Sequence, residues 1–312
     1  MNSLFGVSLT ELPEQSAVQY RITIPNRVLQ IDGDFICYYA TCHEDEPWET
    51  MKRSAFSQIE HLRKLAGAEV ANVHLTAKNS NKGGRYGQAI LKEYQGTRQG
   101  KPKPKMLEQM RLELAGHKGN LFNAFYWSDR EADDGMATMQ TGNLKNSVIA
   151  SKDKDLRMVT GWHMDWDTGE LHDAGDYEKL ILDRSKSSPK LVGYGQAFFY
   201  AQLLMGDQAD NISGLPAVMP DVHEEILGKP IKKAKKCGAV LAHDLLKTCV
   251  SRYHAMQMIV KLYKAYGEQV GFTHWKTGEK VDYTDALRSE AQLLWMREAP
   301  DASAFTPVDI YI

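Results

Sequence analysis

The chain has 312 residues, is 43% hydrophobic and carries a formal net charge of −2 with a pI near 6.6. That is apolar content enough for one large domain or two small ones, and the even charge excludes a global attraction to polyanions, so any nucleic-acid contact must come from local patches. Four cysteines (Cys37, Cys42, Cys237, Cys249) without CxxC spacing argue against a disulfide framework or a zinc site.

The N-terminal stretch MNSLFGVSLTELPEQ has no basic segment leading into an apolar run, and no stretch nears the roughly 20 apolar residues of a bilayer span. A cytoplasmic protein is expected. Residues 1–27 read as an arm. Val28 to Ile31 is a short apolar run, expected to be a buried strand ending at Asp32. Phe56, Ile59, Leu62 and Leu65 predict a helix over 53–66, stopped by Gly67. Val70 to Leu75 is a second strand. Lys78 to Lys105, containing KGGR and KPKPK, has the composition of a loop or mobile segment. A helix over 106–115 and a strand over 122–127 follow. The S-x-x-E spacing at Ser128 and Glu131 suggests a capping box opening a helix to about Thr141. Further along come a strand at 147–151, a hairpin over 157–172 turning near Asp167-Thr168-Gly169, and a helix over 195–205. Helices near 239–249, 252–266 and 283–297 complete the chain. Alternating strands and helices predict an α/β fold with a mainly parallel sheet, its ligands beyond the carboxyl ends of the strands.

Four acidic groups sit at the edges of these elements: Asp32; Glu131, Asp133 and Asp134; Asp153 and Asp155; Asp207 and Asp210. Each alone has an ordinary explanation as a turn, a cap or a solvated charge run. Brought together they would not tolerate each other, since two carboxylates 4 Å apart repel by about 4 kcal/mol at an effective dielectric near 20. Hard divalent cations with oxygen ligands would relieve this, and two such ions suit phosphoryl chemistry. If the strand continued through 153–155, Lys152 and Lys154 would point away from the acids. Basic residues crowd the segment after the second strand: Lys78, Lys82, Arg85, Lys92, Arg98, Lys101, Lys103 and Lys105, with Tyr86 and Tyr94 between them. Such interleaving could hold phosphates and stack bases. Lys232 and Lys233 belong to a second basic run, 229–236, suited to duplex phosphates.

The segments Ile31-Asp32-Gly33-Asp34, Glu131-Ala132-Asp133-Asp134, Ser151 to Asp155, and Met205 to Pro216 resemble, in order and spacing, those of the 5′-nuclease family of flap endonucleases and phage 5′-3′ exonucleases. The resemblance spans roughly residues 28–290. It implies a PIN-like catalytic domain over 28–205 with an arch at about 78–105, and a helical DNA-binding region over 206–300. It implies two Mg²⁺ or Mn²⁺ ions: the first with Asp32, Glu131, Asp133 and Asp134, the second with Asp153, Asp155, Asp207 and Asp210. It also implies a helix–turn–helix element opening at Gly214 that grips DNA, with K⁺, and cytoplasmic work on DNA 5′ ends, flaps or primer junctions alongside replication proteins, as a monomer.

Three departures stand out. Leu75-Thr76-Ala77-Lys78 lacks the family's Asp after the second strand, a position for Asp34 or water to fill. Tyr94-Gln95 stands where the family has Tyr-Lys, with Arg98 retained; Arg85, Lys92 and Lys101 are the candidate substitutes for the missing cation. The segment 217–236 interrupts the glycine-rich turn after Pro216. Tyr94, Arg98, Lys101, Lys103, Gly214, Lys232 and Lys233 are the expected DNA contacts. A haloacid-dehalogenase-type phosphatase is the rival reading, since Asp32-Gly33-Asp34 resembles its nucleophile motif, though Phe35 and Ile36 follow. A structure-specific DNA-binding protein with a weakened nuclease is another, motivated by Ala77 and Gln95. A toxin-like PIN ribonuclease would be shorter.

Overall fold

A computed structural model describes residues 19–312 except 99, 101 and 186, with the backbone of residues 3–4 and 7–8. Six strands form the main sheet: β1 (Ile24–Asp32), β2 (Ala68–Thr76), β3 (Asn123–Trp127), β4 (Ser147–Ala150), β5 (Gly161–Met164) and β6 (Leu171–Ala174). Their order is β3-β2-β1-β4-β5-β6, parallel throughout except for the β5–β6 hairpin. The chain runs outward from β1 through β2 to β3, then returns to β4 on the other side. The switch point therefore lies between β1 and β4, where an open parallel sheet has its natural crevice.

Period-2 alternation divides β1 between two environments. Leu29 and Ile31 join an apolar cluster with Met51, Ile59 and Leu62 of α2 (Trp48–Ala66), Ile36 of α1 (Gly33–Thr41) and Met110 of α4 (Leu107–Ala115). Gln30 and Asp32 face the other way. Gln30 is buried and both ends of its amide are bonded: Nε2 donates to Ser147 Oγ at 2.9 Å, while Oε1 contacts His74 Nε2 at 2.8 Å and accepts from Asn72 Nδ2 at 3.2 Å. Trp127 Nε1 donates to His74 Nδ1 at 3.1 Å. This polar ladder ties β4, β1, β2 and β3 together beneath the site; burial pushes the His74 pKa down to about 3, so the ring stays neutral.

The second cluster joins α5 (Ala132–Thr141) and Ile149 of β4 to α6 (Gln196–Met205), α8 (Ala239–Leu246), α9 (Arg252–Gln269) and α10 (Tyr283–Leu294), and runs across the 205/206 position without a break. Two further helices are short: α3 (Arg85–Gln88) and α7 (Pro220–Leu227). Among the described residues no helix is long and apolar enough to cross a membrane.

Several local expectations change. β1 begins at Ile24, inside the expected arm; residues 1–2, 5–6 and 9–18 of that arm lie outside the described residues. The helix α1 follows Asp32 directly, capped by the Asp32 carboxylate, which accepts from Phe35 N at 2.9 Å. The capping box of α5 lies three residues later than Ser128: Glu131 is the N-cap and Asp134 its reciprocal partner. Within the 78–105 segment, residues 85–95 are no solvated loop, because Arg85, Tyr94 and Gln95 are buried and Gln88 and Ile90 bond to Ser289 of α10.

Candidate active site

One cleft of about 50 Å³ lies beyond the carboxyl ends of β1 and β4, lined by Glu131, Asp133, Asp134, Asp153, Asp155 and Asp210 together with Arg85, Tyr94, Gln95 and Arg98. It has room for an ion or a few waters, not for a nucleotide. The two remaining acids border it: Asp32 accepts from Ser151 Oγ at 3.0 Å, and Asp207 shares Lys154 with Asp155. All eight acids thus gather at one place, from four separate stretches of chain.

Local structure explains the convergence. Asp32 ends β1; Asp133 and Asp134 lie in the first turn of α5, where the helix dipole favours negative charge. Strand β4 stops at Ala150, and a 3₁₀ turn over Asp155–Met158 folds the chain back. Lys154 therefore does not point away from the acids: its Nζ lies 2.8 Å from Asp155 Oδ1 and 2.7 Å from Asp207 Oδ2. Asp207 to Asp210 ride on a loop pinched between Gly206 (φ 72°) and Gly214 (φ 62°). A Cβ on Gly214 would stand 2.2 Å from Gly206 N, and one on Gly206 2.4 Å from Ile212 O, so both positions require glycine.

The acids differ sharply in their partners. Asp134 is fully buried and saturated: Oδ2 accepts from Arg85 Nη1 at 2.7 Å and Glu131 N at 3.2 Å, Oδ1 from Arg85 Nη2 at 2.8 Å and Arg297 N at 2.9 Å. Burial pushes its pKa up, but the Arg85 guanidinium outweighs that and holds it low. Those bonds leave Asp134 no room to ligate an ion, contrary to the ligand set implied by the sequence. Glu131 accepts from Tyr94 OH at 2.9 Å and pairs with Lys82 at 3.2 Å; Asp210 pairs with Arg98 at 2.7 Å. Burial still raises the Asp210 pKa despite that arginine.

Asp32, Asp133 and Asp153 have no basic partner among the described residues. Burial, then the charge of Asp34, pushes Asp32 up to about 7. Asp133 is raised well above the usual range by burial, then by Asp32 and Asp153, and among the described residues no hydrogen-bond donor reaches it. On the other side burial and Asp153 raise Asp155 to about 7, whereas in Asp207 Lys154 outweighs burial and lowers the pKa. Carboxylate charge without a base, buried at Asp32, half-buried at Asp133 and exposed at Asp153, is the donor chemistry of a hard divalent cation, and this side fits one. Among the described residues no three acidic, histidine or cysteine side chains already surround one point. An ion there would draw on these carboxylates and complete its shell with water or substrate oxygens, as Mg²⁺ commonly does.

The other expected residues fall in varied places. Arg85 is 2% exposed, with its guanidinium spent on Asp134 and on the Leu293 and Trp295 carbonyls, so it acts as a buried clamp rather than a substrate contact. Tyr94 is buried with its hydroxyl on Glu131, which rules out base stacking by its ring; Tyr86, packed edge-on against it, remains exposed. The Gly214 amide is buried and donates to Glu290 Oε2 at 2.6 Å, so it does not face DNA. Lys92 is exposed, and its charge acts on Glu290. Lys103, Lys232 and Lys233 are exposed; Lys101 lies outside the described residues. Asp34 does not replace the missing acid at Ala77, because it is held by Arg111 at 2.9 Å and by Thr76 N at 3.2 Å. Lys82, read in the sequence only as one of a basic run, reaches the acidic pocket. Its Nζ lies 2.5 Å from Gln95 Oε1, and Gln95 in turn donates to Asp210 at 3.0 Å. Lys82 has a left-handed φ of 52°, followed by Gly83 and Gly84 at 66° and 78°, and the KGGR motif was the available signal.

No family model and no curated relative matches the chain. Solved structures do. A bacteriophage T5 protein co-crystallised with metal ions, and the T5 5′-exonuclease with bound zinc ions, each match at TM-score 0.50 and 18% identity, over 86% of this chain and 86% of theirs. At that identity the likeness establishes architecture: the chain shares the α/β fold of the T5 5′-exonuclease.

Proposed function

We propose that the chain is a metal-dependent 5′-3′ exonuclease or flap endonuclease that hydrolyses phosphodiester bonds at DNA 5′ ends or junctions, in phage replication or primer removal. The observation that carries this reading is the gathering of Asp32, Asp133 and Asp153, unpaired with any base, at the switch point of the sheet. Bound Mg²⁺ or Mn²⁺ would supply an activated water and neutralise charge on the phosphate. Asp32, Asp133 and Asp153 would hold it, and Asp155, Asp207 and Asp210 border a second position. Tyr94 and Arg85 fix Glu131 beside them. Lys82 and Arg98 set cations at the rim, where a scissile phosphate would arrive. Exposed Lys103, Lys232 and Lys233 would contact DNA backbone. The phosphatase reading is disfavoured by Asp34, the second acid of its nucleophile motif, which is held by Arg111 at 2.9 Å.

The test is a 5′-labelled duplex carrying a 5′ flap, incubated with Mg²⁺, Mn²⁺ or EDTA. Short 5′ products with metal and none in EDTA are expected. Flap binding without cutting in Mn²⁺ would instead identify a binding protein, and phosphate release from small phosphomonoesters with the duplex intact would identify a phosphatase.

A further inference from the structure

We propose that Lys154 is a built-in counter-cation occupying the second divalent-ion position, so that an ion enters between Asp155 and Asp207 only by displacing its ammonium. The inference rests on the metal-dependent reading of this pocket. Lys154 Nζ makes contacts of 2.8 and 2.7 Å to the facing oxygens of both acids, and an ion bridging them would need the same gap. The two carboxylates are positioned without the lysine. Gln202 Nε2, from buried α6, donates to Asp155 Oδ1, and Ala209 N donates to Asp207 Oδ1 at 2.7 Å. The gap is thus built by the fold and filled by the side chain. The Lys154 side chain is 50% exposed, whereas Asp155 and Asp207 are 14% and 5% exposed. The ammonium therefore plugs the acids from the solvent side and can swing out on its flexible stem without opening a cavity. Among the described residues no base does this for Asp32, Asp133 and Asp153, so the two ion positions should differ in affinity in this chain.

The test is calorimetric titration of Mn²⁺ alone, without DNA, into the metal-free full chain and its Lys154→Met variant. The wild type should bind one ion tightly and a second weakly. The variant should bind the second at least about tenfold more tightly, as expected when a competing ligand is removed. Melting gives an independent readout: in EDTA the variant should melt below the wild type, and excess Mn²⁺ should close or reverse that gap. Should Lys154→Met not fold, Lys154→Gln keeps a hydrogen-bonding side chain and carries the same expectation. Two ions of equal affinity in both proteins, or a weaker second ion in the variant, would overturn the inference while leaving a metal-dependent pocket intact. Absence of Mn²⁺ binding to either protein would overturn both.

Discussion

The two sides of the acidic pocket meet the same electrostatic difficulty in opposite ways. On the β1 side, Asp32, Asp133 and Asp153 are left without a base, and burial with mutual repulsion raises Asp32 and Asp133. On the far side, Lys154 is shared by Asp155 and Asp207 and Arg98 pairs with Asp210, which holds Asp207 low while burial still raises Asp155 and Asp210. Asp133 and Asp134 make the contrast within one helical turn: the first has no partner, the second is saturated by Arg85 and two backbone amides. Acidity alone therefore does not mark a ligand; the partners that each carboxylate already has decide how readily it can take an ion.

The largest expected effect tests the balanced member. Arg85→Ala strands a buried carboxylate and should destabilise the fold by about 3–5 kcal/mol, read by denaturant melts, whereas Arg85→Met combined with Asp134→Leu should recover most of that loss. An Arg85→Ala protein as stable as wild type would erase the distinction between Asp134 and Asp133. Next, Asp133→Asn or Asp153→Asn should lower cutting of the flap substrate by more than about 100-fold, beyond the scale of a lost supporting contact at a metal site. DNA binding in EDTA should stay within error, and undiminished cutting by both variants would remove the β1 side from the chemistry. Lys82→Met should cost about tenfold in kcat, the size of one charge-assisted hydrogen bond of roughly 1.5 kcal/mol. Transferring the charge with Gln95→Lys in that background should restore part of it. The smallest effect is on pH. Asp32 and Asp133 have pKa values above their unfolded ones, so they bind more protons when folded; their contribution to stability is fully present below about pH 4 and is lost as pH rises through 7. Metal-free melting temperatures should fall over that window, and Mg²⁺ should flatten the fall; a rise across it would contradict the assigned directions.

Much of this was legible in the sequence, for identifiable reasons. Val28 to Ile31, Val70 to Leu75 and the acids at their ends stand out because strand ends and hydrophobic runs are local signals. Helix α1 was missed because its segment, GDFICYYAT, is apolar on several sides and shows no stripe. The capping box was displaced because Ser128 has the right spacing, while the true reciprocal pair uses two acids, Glu131 and Asp134. The fates of individual acids were not legible at all. Arg85 reaches Asp134 across 49 residues and Lys154 reaches Asp207 across 53, and only the folded chain brings such partners together.

The most direct test of the central claim is to locate a cation. Crystals of the protein soaked in Mn²⁺ should give an anomalous-scattering peak among the carboxylates of Asp32, Asp133 and Asp153, with Asp134 still on Arg85. A fully soaked crystal with no peak there, or with Mn²⁺ bound to Asp134 in place of Arg85, would contradict the account.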